Sequence, residues 1–125
     1  LVALGVRRIT VREWLDDDPY PQAVVKDVPE MLPGPGFLDV VERVRRLHRR
    51  TLALAIELGG TVGDIDPELA AEPVVAAWQL CDAAPVEQLD RQRLLETNDP
   101  AARMDLASRL LTERGEMLQA RLAGA

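Results

Sequence analysis

Apolar residues recur at steps of three and four along much of the chain, which is the spacing of one face of an α-helix. The pattern predicts helices over Phe37–Leu58, Pro85–Glu96 and Pro100 to about Leu122. In the second of these helices, the apolar residues Val86, Leu89, Leu94 and Leu95 fall near one face. A shorter helix is expected over Pro73–Ala83, because proline fits the first helical turn and not the interior. Gly59-Gly60 is typical of a helix end, and Asp66-Pro67-Glu68 predicts a short helical turn after it. Most of the chain is therefore predicted to be helical, with a long C-terminal helix.

Residues 1–30 show an extended pattern instead. Leu1–Leu4 are apolar and suggest the end of a strand, and Gly5 suits the turn that follows. Val6–Leu15 alternates apolar and polar positions, and Ala23–Val28 forms a further extended segment. Two or three strands are marginal by themselves, and the sequence does not begin with Met. We therefore expect further N-terminal strands in the natural protein.

A stretch rich in proline and glycine, Pro29–Gly36, separates these two patterns. The domain prediction is therefore strands over residues 1–30, a linker over 31–36 and a helical bundle over 37–125. This is an α+β chain in which the helical part is expected to fold alone. Its core is predicted from eight apolar residues: Leu47, Leu54, Leu58, Trp78, Leu94, Leu110, Leu111 and Leu118.

Charge and composition narrow the possible functions. The 125 residues carry a net charge of -6, which disfavours general attraction to nucleic acid. No apolar run approaches the roughly 18 residues of a membrane helix, and no signal peptide opens the chain. The lone cysteine, Cys81, cannot form an internal disulfide and is expected to be buried. These features favour a cytoplasmic protein.

The one dense basic cluster runs from Arg43 to Arg50. It could contact RNA, but the acidic balance of the chain favours a solvated helix face, partly paired with Asp39 and Glu42. His48, the only histidine, lies within the cluster and is expected to be structural or at the surface, because no cysteine or carboxylate set stands at ligand spacing.

Other candidate chemistry is weak. Gly34-Pro35-Gly36 precedes a helix but lacks the lysine and spacing of a phosphate loop. Asp16-Asp17-Asp18 could hold a cation, although adjacent carboxylates in a turn are usually just solvated. Ser108 stands on a helix without a triad pattern. The sequence thus predicts no catalytic set, no metal site and no cofactor.

Three of the few aromatic residues lie near the extended segments and the linker: Trp14, Tyr20 and Phe37. They could belong to the core, or they could line an apolar surface that contacts exposed hydrophobic segments of other proteins. Both readings stay open at the level of the sequence.

Two passages resemble the LON substrate-binding domain family, the N-terminal domain of the ATP-dependent protease Lon, which also occurs as a stand-alone bacterial protein. One consists of Gly5–Val11 followed by Asp18–Ala23, and the other of Asp90–Glu96 followed by Asp99–Arg103 and Leu110-Leu111. The resemblance implies the last strands of a PUA-like, β-rich half followed by a helical bundle. Since PUA-like folds often bind RNA, it also keeps an RNA-binding module using Arg43–Arg50 as the alternative.

The family's role implies a non-catalytic module that binds unfolded or exposed hydrophobic segments of proteins, because the chain has no ATPase or protease motif. Trp14, Tyr20 and Phe37 are the candidate contacts, and an oligomer is compatible with this role. Asp99 is expected to cap the last helix. Arg103 is expected to anchor the preceding loop through backbone carbonyls or a carboxylate.

Overall fold

An antiparallel hairpin forms the first part of the chain. A computed structural model describes residues 1, 3–60 and 63–124, and in it β1 (Ile9–Leu15) pairs with β2 (Gln22–Asp27). Valine, isoleucine and tryptophan favour this extended backbone. The described residues before β1 form no strand, so the predicted strand end at Leu1–Leu4 is not found there; Val2 lies outside the described residues.

Four helices follow within the described residues: α1 (Phe37–Glu57), α2 (Pro73–Ala83), α3 (Gln88–Glu96) and α4 (Pro100–Gly124). Their bounds lie close to the predicted ones because prolines and glycines mark several of the ends. Gly59 follows α1 with φ +80°, a conformation that residues with a Cβ rarely adopt. The helical turn predicted at residues 66–68 is absent, and this segment is irregular.

The core of the helical part lies between α1, α2 and α4, with one leucine from α3. Thr51 of α1 and Leu111 of α4 mark a close approach, where the Thr51 hydroxyl donates to the Leu111 carbonyl at 3.2 Å. The predicted core residues Leu94, Leu110, Leu111 and Leu118 are buried, whereas Leu47, Leu54, Leu58 and Trp78 are half-buried. Thr51, Leu52 and Ala55 occupy the buried face of the second half of α1.

The structure corrects the apolar face predicted for α3. Leu94 is buried, but Leu89 is 75% exposed and Leu95 is 46% exposed. A helix of nine residues has few turns, so the spacing of its leucines does not define which of them faces the core.

The chain divides into two compact units, Leu1–Glu30 and Met31–Ala125. That the helical unit folds on its own stays a prediction. Among the described residues, no helix is both long enough and apolar enough to span a membrane.

Candidate binding surface

One face of the hairpin is apolar and exposed. The register pairs Val11 with Val25 and Trp14 with Ala23, and paired residues point to the same side of a sheet. Ile9, two residues before Val11, lies on this side as well, together with its partner Asp27, which is the one charged residue among these pairs. The exposed fractions are 47% for Ile9, 40% for Val11, 71% for Trp14 and 40% for Val25. We call these five residues, Ile9, Val11, Trp14, Ala23 and Val25, the hairpin face.

The hairpin face depends on an irregularity in β1. The register shifts between Val11 and Glu13, so that Arg12 is an extra residue without its own partner on β2. In a regular strand Trp14 would share a side with Arg12, because side chains alternate with a period of two. The bulge reverses this alternation. Trp14 therefore joins Ile9 and Val11 on the apolar side.

The other two candidate aromatic residues are placed differently from each other. Tyr20 lies in the turn between β1 and β2 and is 65% exposed, whereas Phe37 begins α1 and is 6% exposed. Phe37 belongs to the core of the helical unit, where its ring packs against buried aliphatic side chains. Its burial removes Phe37 from the set of candidate contacts and leaves Trp14 and Tyr20.

Polar contacts hold the ends of the hairpin. In the turn, the Gln22 side-chain amide donates to the Asp18 carbonyl at 2.6 Å. At the open end, Arg8 lies 3.4 Å from the Glu30 carboxylate. The carboxylates Asp16–Asp18 are exposed, and no group of His, Cys, Asp or Glu in the described part of the chain could hold a metal ion. Tyr20 is exposed in the same turn as these carboxylates.

The helical unit contains a buried arginine, Arg103, which is 0% exposed. Its guanidinium donates to the Thr97 carbonyl at 2.8 and 3.1 Å and to the Asn98 carbonyl at 3.3 Å. The sequence left open whether Arg103 would contact backbone carbonyls or a carboxylate, and these acceptors are backbone carbonyls. The guanidinium also stacks 3.6 Å from the centre of the Trp78 ring. Asp99 accepts the Ala102 N–H at 3.1 Å, as a helix cap does.

The basic run on α1 is divided by its contacts. The guanidinium groups of Arg45 and Arg49 both reach the Asp66 carboxylate, at 3.1 and 2.9 Å. The hydrogen bond from Arg49 is the main cause that holds the pKa of Asp66 below its ordinary value, and Arg45 adds to it. These two arginines therefore fix the irregular segment after α1 and are engaged within the chain.

His48 lies on the buried side of the same helix and is 1% exposed. Its Nε2 lies 3.0 Å from the Asp64 carbonyl oxygen, and because a carbonyl only accepts, Nε2 carries the proton. The remaining arginines of the basic run, Arg43, Arg46 and Arg50, are exposed.

Cys81 is buried on α2. Burial raises the pKa of its thiol to about 12, so the reactive thiolate is not formed at neutral pH. This cysteine packs as a small apolar residue.

The chain is thus of the α+β class: a hairpin with an exposed apolar face precedes a unit of four helices among the described residues. The family model of the ATP-dependent protease La (LON) substrate-binding domain matches residues 1–113. The chain belongs to this family. Membership confirms the resemblance seen in the sequence and supports a substrate-binding role.

Relatives include two bacterial proteins named Lon protease. The one from Methylocella silvestris is 33% identical over an alignment of 126 positions, which covers 95% of this chain and 15% of the relative. The one from Phenylobacterium zucineum is 30% identical over 122 residues, covering 92% of this chain and 15% of the relative. The chain thus spans about 15% of the length of these relatives.

Proposed function

We propose that this chain is a non-catalytic module that binds exposed hydrophobic segments of other proteins. The observation that carries the proposal is the hairpin face, where Trp14 is 71% exposed beside three partly exposed aliphatic side chains in a chain of the substrate-binding family. A contiguous apolar surface is a site at which burial against a partner is favourable. Tyr20 extends the candidate contacts into the turn.

Tryptophan is the side chain that most often dominates a binding interface, because it buries a large area with few rotatable bonds. Trp14 is therefore the residue whose loss should matter most. Its removal should leave the strand pairing intact, since the ladder is formed by backbone groups.

A binding titration tests the proposal. Reduced and alkylated α-lactalbumin, which stays unfolded and is labelled with a fluorophore, is the probe, and anisotropy is the measurement. Trp14→Ala should weaken binding by about tenfold or more, as for an interface hot spot. Leu89→Ala is the matched control, because Leu89 is an apolar residue of the helical unit that is 75% exposed. Equal affinities for the two variants would contradict the proposal.

The non-catalytic role is supported by the match to the substrate-binding domain rather than to the rest of the relatives. We also infer action in the cytoplasm, where the unpaired Cys81 would stay reduced. Purified chain should neither hydrolyse ATP nor cleave the unfolded probe, and detection of either activity would refute the non-catalytic role.

A further inference from the structure

Three arginines form a stripe along the exposed side of α1. Arg43, Arg46 and Arg50 are spaced by three and four residues, which places them on one face of the helix. All three are exposed, and none has an ion-pair partner among the described residues. The pairs expected from the sequence, with Asp39 and Glu42, are not formed; Glu42 lies 3.9 Å from Arg45 instead. We call these three residues the arginine stripe.

The arginine stripe borders a groove between α1 and α4. The groove has a volume of about 200 Å³ and is lined on the α1 side by Leu47, Arg50 and Leu54. Leu111, which is itself buried, lines the groove from α4 together with polar residues that include Glu116. Arg50 belongs to both features, so the positive charge continues to the edge of an apolar cleft.

Charge complementarity indicates which kind of ligand would bind in the groove beside the arginine stripe. Two other arginines of the run, Arg45 and Arg49, are paired with Asp66, whereas the arginine stripe forms no ion pair within the described part of a chain whose net charge is -6. Guanidinium groups bind carboxylates and phosphates with paired hydrogen bonds. The groove residues include no aromatic ring on which a nucleic-acid base could stack. An apolar cleft beside arginines fits a polypeptide with an apolar side chain next to carboxylates.

We propose that the groove between α1 and α4 binds an acidic segment of a partner polypeptide. An apolar side chain of the segment enters between Leu47, Leu54 and Leu111, and neighbouring carboxylates pair with the arginine stripe. This inference rests on the proposed function in that the partner is a polypeptide, but it uses residues of the helical unit and assigns the chemistry of the bound segment.

A titration with designed peptides tests the inference. The probe is a fluorescent peptide in which a leucine is flanked by glutamates, and the reference peptide has glutamine at each glutamate. The full chain should bind the glutamate peptide at least about tenfold more tightly, and rising salt should weaken this binding because exposed charges are screened. Equal binding of the two peptides, or no binding of the glutamate peptide, would overturn the inference.

Variants locate the site. The double variant R46Q/R50Q should lose about tenfold in affinity for the glutamate peptide, as expected for two exposed ion pairs. The matched control is R12Q/R121Q, which removes the same charge from arginines that are also exposed. Equal losses for both double variants would overturn the site. Circular dichroism checks that each variant is folded.

Two further outcomes separate the inference from its alternatives. A single-stranded RNA that binds the wild-type chain and not R46Q/R50Q, while the glutamate peptide fails to bind, would assign the stripe to nucleic acid and overturn the inference. Binding of unfolded α-lactalbumin that depends on Trp14, in the absence of glutamate-peptide binding, would overturn the inference and leave the proposed function standing.

Discussion

At the scale of the residue, the helical unit depends on a buried cation, Arg103, that donates to backbone carbonyls. Arg103 donates to the carbonyls of Thr97 and Asn98 and stacks on Trp78. Charge-assisted hydrogen bonds and stacking both require the planar guanidinium, which lysine lacks. The contacts join the start of α4 to the loop before it and to α2.

Replacing Arg103 should therefore be costly. Arg103→Ala is expected to lower the free energy of unfolding by about 3–5 kcal/mol, because the Thr97 and Asn98 carbonyls lose a charged donor and a cavity forms where the buried guanidinium stacked on Trp78. Arg103→Lys should restore only part of this. Urea unfolding followed by circular dichroism gives the values. Arg109→Ala is the control, since its pair with Asp105 is exposed, and losses of similar size for Arg103→Ala and Arg109→Ala would contradict the prediction.

A second residue-scale prediction concerns Cys81. Since burial raises the pKa of this thiol to about 12, the thiol stays protonated at every pH below that value in the folded state. We expect no reaction with Ellman's reagent at mildly alkaline pH in buffer and rapid reaction in concentrated urea. The absorbance of the released thiolate measures both rates. Rapid reaction of the folded chain would show that Cys81 is accessible.

At the scale of the element, the ends of the helices could be predicted from sequence more readily than their faces. Proline at the start of α2 and α4 and glycine after α1 act locally, so their effect can be inferred from neighbouring residues. The faces depend on which elements pack together. The stacking of Trp78 on Arg103 joins residues on different helices, and the bulge at Arg12 has no clear sequence signal. For these reasons, neither the stacking nor the bulge could be predicted from the sequence.

The burial of α3 gives a direct test of its assigned face. Leu94→Ala should lower the free energy of unfolding by about 2–5 kcal/mol, because Leu94 is 1% exposed and its loss leaves a cavity. Leu89→Ala, five residues earlier on the same helix and 75% exposed, should change it by no more than about 0.5 kcal/mol. Denaturant unfolding of both variants is the measurement, and the reverse order would mean that the helix is rotated.

Gly115 is a helix-interior residue with room for a methyl group. A Cβ at this position would lie 3.7 Å from the Thr51 hydroxyl oxygen, which is an ordinary contact. Gly115→Ala should therefore raise the free energy of unfolding by about 0.5–1 kcal/mol through helix propensity. Gly59→Ala is the contrasting variant and should lower it, because Gly59 has φ +80°. Thermal melts would show the two shifts, and a loss at Gly115 would mean tighter packing than described.

At the scale of the whole molecule, the two units differ in what they bury. Within Leu1–Glu30 no residue is fully buried among those that the structure describes, whereas Met31–Ala125 contains the entire buried core. A two-stranded hairpin is marginal in water, and packed helices with local contacts are not. We therefore expect the helical unit to fold without the hairpin, and the hairpin not to fold by itself.

A truncated chain of residues 36–125 should fold by itself. We expect a helical far-UV circular dichroism spectrum and a cooperative thermal transition, because the buried cluster lies within this segment. The full chain, heated under the same conditions, is the control. A truncated chain without a transition would show that the helical core needs residues 1–35.

The bulge at Arg12 has a consequence for how this surface can be inherited. Binding surfaces are usually altered by exchanging one amino acid for another. Here the loss of the single codon for Arg12 would remove the extra residue and make β1 alternate strictly, yet Val11 and Trp14 would stay on one side, because only Glu13 would then separate them. In a regular strand the same deletion would turn every residue beyond it to the other side, so the bulge is a position at which the chain can lose a residue and keep its apolar face.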